Sequence, residues 1–332
     1  MEVLVVGHDQ VKDLLPMEEC IEVIEGVFRT LARGDVVLPL RQAVWQPDRK
    51  GLLGMMPAYL GSPQAIGGKF VTVFPGNSET PFESHQGVVL LFECENGRLQ
   101  AIVDASSITA IRTAAASGVA TRALARGDAH DLAILGSGTQ ASMHLSSMRA
   151  VRNISKVRVW SRNIDHARRF ANFSSGKGTP PIEAVESPER AARNADIICT
   201  TTGATEPVLK GEWISPGAHV NAVGASVPPY RELDSQAVAR SRLYTDRRES
   251  LLSEADDFRI PRKEGRITDD HLRGVIGEVL VERVAGRTND EEITLFKSLG
   301  LAVEDLAAAI HVYLEAKAKG LGNWIEFSGV RE

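Results

Sequence analysis

The sequence predicts an α/β protein of two domains, with a mostly antiparallel sheet in the first third and a doubly wound parallel sheet behind it. Three observations carry that reading. The chain has 332 residues, and at roughly 150 residues per domain that length suggests two. From Asp131 onward six short apolar runs alternate with helical segments or crossovers, the pattern of a parallel sheet. Ahead of them, strand-like runs are joined by turn residues, including the strong hairpin signal Glu95-Asn96-Gly97.

Taken in order, residues 14–34 are expected as a helix, with Pro16 near its start and Gly34 after its end. Residues 36–46, 53–56, 66–74, 87–93 and 99–104 are expected strands, rich in β-branched and aromatic side chains between glycines and prolines. An alanine-rich helix follows from about Ser106 to Arg126, with Ile108, Arg112, Ala115 and Val119 on one face. The six later strands are 132–138, 157–162, 181–185, 196–202, 219–225 and 242–246. The charged region 248–292 gives no clear pattern, and a closing helix is expected from about Leu295 to Lys319, before Gly320 and Gly322.

Composition narrows the function. Hydrophobic residues make up 43% of the chain, ample for a core, and the net charge of −5 gives no reason to bind nucleic acid or an anionic membrane surface. The opening MEVLVVGHDQVKDLL has no basic region or cleavage site of a signal peptide. No run approaches the roughly 20 apolar residues of a membrane span. Cys20, Cys94 and Cys199 lie far apart with no metal-ligand spacing, so reduced thiols in a cytoplasmic protein without a metal are expected.

The first of the six strands runs into Gly136-Ser137-Gly138-Thr139-Gln140-Ala141, a GxGxxA pattern. The first glycine permits the tight turn, the second lets a pyrophosphate approach the backbone, and Ala141 lets helix and strand pack closely. The helix start then offers N–H groups and a positive dipole end to phosphates. In this strand–turn–helix setting the pattern points to a Rossmann dinucleotide site. The end of the second strand reads Trp160-Ser161-Arg162-Asn163, with no carboxylate until Asp165. An NAD site usually places an acid there, whereas Arg162, with Ser161 and Asn163, suits a 2′-phosphate. NADP(H) is therefore the expected cofactor and NAD(H) the second choice; the competing reading of Arg162 is a solvated loop residue.

Three cations stand in apolar settings: Arg41 in VLPLRQAVW, Lys69 in IGGKFVTVF and Arg112 in TAIRTAAA, none with an acid within a few residues. Arginine grips a carboxylate bidentately and lysine acts as a point charge, so such groups beside a nicotinamide suit a small substrate with an α-carboxylate. Each also admits a plainer reading, as a snorkelling side chain or half of a structural salt bridge. His85, in SHQG, reads either as an acid or base or as a hydrogen-bonded loop histidine. Asp104 reads as a turn or capping residue.

At these residues the chain resembles the ornithine cyclodeaminase/mu-crystallin family. The words that carry the resemblance are MPAY (56–59), GGKFVTVFPGN (67–77), SHQGVVLLFE (84–93), DASSITAIRTAAASGVAT (104–121), ILGSGTQA (134–141), ADIICTTT (195–202), GAHVNAVGAS (217–226) and FKSLGLAVEDLAAA (296–309). The resemblance implies a Rossmann domain over 121–302 and a discontinuous α+β substrate and dimerisation domain over 1–120 and 303–332, with the active site in the cleft between. It implies substrate contacts from Arg41, Lys69 and Arg112, and cofactor contacts from Thr113, Thr201, Thr202, Val223, Gly224 and the Ser298–Gly300 segment. It also implies a homodimer with the sheet of residues 36–104 at its core.

One departure sharpens the expectation. Ornithine cyclodeaminases and the related alanine dehydrogenases carry an aspartate after the NAVG strand, where this chain reads Gly224-Ala225-Ser226. GASVPPYRELD, and the SRN after the second strand, are instead similar to the ketimine reductase (mu-crystallin-like) branch. The expected activity is NAD(P)H-dependent reduction of a cyclic ketimine, Δ1-pyrroline-2-carboxylate or Δ1-piperideine-2-carboxylate, to proline or pipecolate. Ornithine cyclodeamination, alanine dehydrogenase-like chemistry and NADPH binding with little turnover are the alternatives. On this reading Lys69→Ala and Arg112→Ala each cut turnover without unfolding the chain.

Overall fold

The computed structural model describes residues 2–176 and 180–327. The chain parts into two compact units, Met1–Arg112 with Leu301–Glu332, and Thr113–Gly300. The sequence reading puts these divisions at 120/121 and 302/303; the first lies inside a continuous helix, where no break in the pattern marks it.

The first unit opens with β1 (Glu2–Val6), α1 (His8–Leu14) and α2 (Met17–Arg33). α2 buries Met17, Cys20, Ile21, Ile24, Val27 and Phe28, a three-and-four spacing that turns one face to the core. Full burial of each large aliphatic side chain is worth about 2 kcal/mol. β2 (Val36–Val37), β3 (Gln42–Trp45), β4 (Leu52–Gly61), β5 (Gln64–Val73), β6 (His85–Phe92) and β7 (Leu99–Asp104) follow. Residues 36–46 are thus two short strands rather than one. Pro39 lies between them and cannot donate to a ladder. β1, an apolar run that the sequence reading left unassigned, pairs parallel to β7, and β4 through β7 form an antiparallel meander. Asp104 Oδ1 accepts from Ser107 N at 2.8 Å, the capping role expected of it. That cap starts α3 (Ala105–Leu124), which crosses from the first unit into the second.

The second unit continues with β8 (Asp131–Leu135), α4 (Thr139–Val151), β9 (Lys156–Trp160), α5 (Ile164–Ser174), β10 (Ile182–Val185), α6 (Pro188–Ala192), β11 (Ile197–Thr200) and β12 (His219–Ala222). Then come α7 (Ser235–Ala239), β13 (Arg242–Thr245), α8 (Arg248–Glu254), α9 (Asp256–Lys263), β14 (Leu272–Val275), α10 (Ile276–Leu280) and β15 (Thr294–Lys297). All eight strands are parallel, in the order β10-β9-β8-β11-β12-β15-β13-β14. The order runs outward in both directions from β8, so β8 and β11 flank the switch point of a Rossmann sheet. Separate apolar clusters bury residues from alternate positions of the strands, such as Ala133 and Leu135 in one and Leu132 and Ile134 in the other.

The chain returns to the first unit through α11 (Ala302–Lys319) and β16 (Asn323–Glu326), which pairs with β1. The sequence reading starts this helix at Leu295, but Thr294–Lys297 is a strand. A short apolar run in a sheet buried on both faces has no alternation to separate it from a buried helix. α11 lies against β4, β5 and β6 and against α2.

Candidate active site

In the first unit, strand alternation sends Lys69 to the same buried face of β5 as Ala65 and Val71. That face meets α11 closely at Gly67, where a Cβ would stand 2.1 Å from Leu90 O and 3.0 Å from Leu306 Cδ1. Beside Leu306 stands Asp305, and it is the anion that Lys69 meets: Nζ lies 2.9 Å from Oδ2 and 3.0 Å from Oδ1. Nζ also donates to Thr109 Oγ1 at 3.2 Å. One helical turn along α3, Arg112 Nε donates to Asp305 Oδ1 at 2.9 Å and Nη1 to Glu304 Oε2 at 2.8 Å. Lys69 and Arg112 are 3% and 4% exposed, and both acids are fully buried, so these charges interact with little solvent screening.

Arg41 lies in the segment before β3, half-buried. Its charge reaches Lys69, and the charges of Lys69 and Arg112 reach His85. Lys69 has its pKa lowered from 10.5 to about 8: burial is the main cause, Asp305 opposes it, and Arg112 and Arg41 add to it. His85 stands at the exposed start of β6, where the protein packed around its ring, then the charges of Lys69 and Arg112, hold its pKa below the usual value. Its Nδ1 is 3.0 Å from Ser84 Oγ.

The structure therefore brings Lys69 and Arg112 into one ion cluster and Arg41 and His85 into electrostatic reach of it. Lys69 and Arg112 both form salt bridges, the plainer of the two readings their sequence setting admits, with an acid that lies 236 and 193 residues away. Lys69 and Arg112 are thus each paired with a carboxylate of α11, and the charge of Arg41 reaches the same cluster. Glu304 and Asp305 were missed as site residues. Two acids inside the apolar helix word LAVEDLAAA are the same kind of signal as Lys69 in its strand.

In the second unit the expected cofactor residues cluster at strand ends. Gly136 and Gly138 lie in the turn from β8 into α4, and Thr139, Gln140 and Ala141 open that helix; Ser161, Arg162 and Asn163 follow β9; Thr201 and Thr202 follow β11; Val223 and Gly224 follow β12; Ser298 and Gly300 follow β15. Thr113 is buried on α3. Backbone bonds lace these ends together: Gly136 N to Trp160 O at 2.8 Å, Thr201 N to Leu135 O at 2.8 Å, Val223 N to Thr200 O at 3.0 Å and Ser298 N to Ala222 O at 3.0 Å.

Three features fit a dinucleotide. Gly136 holds φ of +129°, and a Cβ there would meet Thr201 Oγ1 at 2.5 Å, so only glycine makes this turn. A Cβ on Gly138 would meet nothing within 4 Å, leaving room for a phosphate over the start of α4, which has no side-chain cap. Ser298 Oγ is buried with no hydrogen-bond partner among the described residues. At the end of β9, Ser161 Oγ accepts from Ser137 Oγ at 3.0 Å. Asn163 Oδ1 caps α5, accepting from Asp165 N at 2.9 Å. Arg162 is exposed.

A family model described as the ornithine cyclodeaminase/mu-crystallin family matches residues 1–320. The ketimine reductase mu-crystallin of Mus musculus is 41% identical over 84% of this chain and 85% of its own. The structure of Thermococcus litoralis Δ1-pyrroline-2-carboxylate reductase in complex with NADH and L-proline matches with a TM-score of 0.94 at 39% identity, covering 97% of this chain and 99% of that one. An archaeal alanine dehydrogenase dimer with bound NAD matches with a TM-score of 0.93 at 33% identity, covering 99% and 100%.

Proposed function

The chain belongs to the ornithine cyclodeaminase/mu-crystallin family, and from that premise we propose that it is an NAD(P)H-dependent ketimine reductase. Its substrate is Δ1-pyrroline-2-carboxylate or the six-membered Δ1-piperideine-2-carboxylate, and its product proline or pipecolate. The observation that carries this reading is the buried ion cluster of Lys69, Arg112, Glu304 and Asp305, which the charge of Arg41 reaches. Relatives named as reductases of cyclic imines support it.

Arg112 and Arg41 hold the substrate carboxylate. The two acids fix Arg112 in place, so its grip costs little further ordering. Lys69, with its pKa brought down to about 8, is a stronger acid than an ordinary lysine and donates a proton to the imine nitrogen. When bound, the reduced nicotinamide supplies the hydride that the imine carbon takes. Lys69 proton and hydride together convert C=N to CH–NH. Gly136 to Ala141 would hold the pyrophosphate, and exposed Arg162, which makes no ion pair among the described residues, would meet a 2′-phosphate, so NADP(H) is preferred over NAD(H).

The chain works as a homodimer. β3, β4 and β5 turn Val44, Leu53, Ile66 and Phe70 outward, 58%, 37%, 46% and 39% exposed. An antiparallel sheet facing water normally shows polar residues there, and a second copy covers this face. Among the described residues no helix is long and apolar enough to cross a membrane. The test is direct: NADPH absorbance falls when Δ1-pyrroline-2-carboxylate is added, and ornithine with NAD releases no ammonia. Ammonia from ornithine, or from alanine with NAD as the archaeal relative's name suggests, with no imine reduced, overturns the proposal.

A further inference from the structure

The Rossmann sheet contains a buried acid that the imine chemistry does not use. Glu232 lies between β12 and α7 and is fully buried. Each of its oxygens accepts two hydrogen bonds. Oε1 takes them from Thr202 N at 2.6 Å and Thr202 Oγ1 at 2.7 Å; Oε2 from Gly224 N at 2.7 Å and Thr200 Oγ1 at 2.8 Å. One carboxylate thus ties the segment after β11 to the segment after β12. The fit is close: a Cβ on Gly224 would lie 2.0 Å from Thr202 O and 2.7 Å from Glu232 Oε1.

Glu232 is itself held from behind. Asp257 Oδ1 accepts from Glu232 N and Leu233 N, both at 2.9 Å. Asp257 Oδ2 pairs with Lys297 Nζ at 3.0 Å, and Lys297 Nζ donates to Ala222 O at 3.3 Å. Burying three charged side chains is expensive, and backbone pairing already joins β11, β12 and β15. The cluster sits where these neighbouring strands end, and the residues that follow them include Thr201, Thr202, Val223, Gly224 and Ser298.

In a doubly wound sheet the ligand lies outside the carboxyl ends of the strands, across the switch point. The group that selects the adenosine ribose stands at the end of β9, so the adenosine half covers β8 and β9. The nicotinamide half then falls over β11 and β12. We infer that Glu232 is a positioning residue for that half, holding the segments after β11 and β12 in the shape that receives it. This rests on the dinucleotide site of the proposed function.

The experiment compares Kd for NADPH with Kd for 2′-phospho-ADP-ribose, which lacks the nicotinamide, together with Tm, in wild type and Glu232→Gln. An amide turns a donor toward Gly224 N or Thr202 N and loses a charge-assisted bond. Kd for NADPH is expected to rise about tenfold or more, with Kd for 2′-phospho-ADP-ribose unchanged. Thr200→Val, which deletes one of the four bonds and keeps the shape, gives the same pattern more weakly and decides the matter if the Gln variant does not fold. Equal weakening of both ligands, or a lower Tm with both Kd values unchanged, shows a merely structural role and overturns the inference. A wild-type chain that binds neither ligand removes the dinucleotide reading, and this inference with it.

Discussion

Asp305→Asn isolates the electrostatic heart of the proposed mechanism. Asp305 Oδ1 already accepts from Lys69 Nζ at 3.0 Å and Arg112 Nε at 2.9 Å. An asparagine with its oxygen in that place keeps those bonds and loses the negative charge. In the wild type the Asp305 charge works against burial, and the two together leave Lys69 with a pKa of about 8. An opposite charge at this range is worth about 1–3 pKa units, each about 1.4 kcal/mol. Without it the Lys69 pKa falls from about 8 to roughly 5–7. The sign follows from the role: imine reduction needs the ammonium form, so activity is present below the pKa and lost as pH rises through it. The assay is kcat/KM for Δ1-pyrroline-2-carboxylate reduction across the pH range. The wild-type decline should centre near pH 8, and that of the variant should centre lower by about 1–3 units. A decline that stays in place in the variant, or wild-type activity that rises with pH through this range, refutes Lys69 as the proton donor.

Further outcomes follow from the same geometry. Arg112→Ala leaves Glu304 and Asp305 buried beside one cation fewer, so urea unfolding should show a loss of about 3–5 kcal/mol besides lost turnover, in a chain that still folds. Arg162→Ala should cut the preference for NADPH over NADH about tenfold or more, measured as the ratio of kcat/KM; an unchanged ratio shows Arg162 to be a solvated loop residue. Gly136→Ala must fit a side chain at φ +129° against Thr201 Oγ1, so its Tm should fall, whereas Gly138→Ala, whose Cβ meets nothing within 4 Å, should keep its Tm and weaken dinucleotide binding by filling the room left for the phosphate. Lys69 is more acidic folded than unfolded, so its burial penalty holds below pH 8 and is relieved from about 8 toward 10.5. The urea midpoint of wild type relative to Lys69→Met should therefore rise with pH in that window.

What the sequence made legible was local. The GxGxxA turn, the six strands from Asp131 and the hairpin at Asn96-Gly97 each declare themselves within about ten residues, because turn chemistry and periodicity act over that range. The partners of Lys69 were not legible. Asp305 reaches it only because α11 closes onto β5 at Gly67, and spacing along the chain carries no trace of that. β15 was misread as the start of α11 because its residues Thr294–Lys297 are wholly buried and lack alternation. Asn163 carried the right residue type for a phosphate contact but is also a good helix cap, and its Oδ1 serves in the cap. Glu232 lay hidden for the opposite reason: in PPYRELD it reads as an ordinary charged loop residue, and only the folded chain shows that four donors surround it.

A reductase that seats a small cyclic imino acid against reduced nicotinamide must leave an isotopic mark. NADPH carrying deuterium at the transferred position, incubated with Δ1-pyrroline-2-carboxylate and the wild-type chain, should yield L-proline with one deuterium on its α-carbon by mass spectrometry. Unlabelled proline, or labelled cofactor left unconsumed beside unchanged imine, would contradict it.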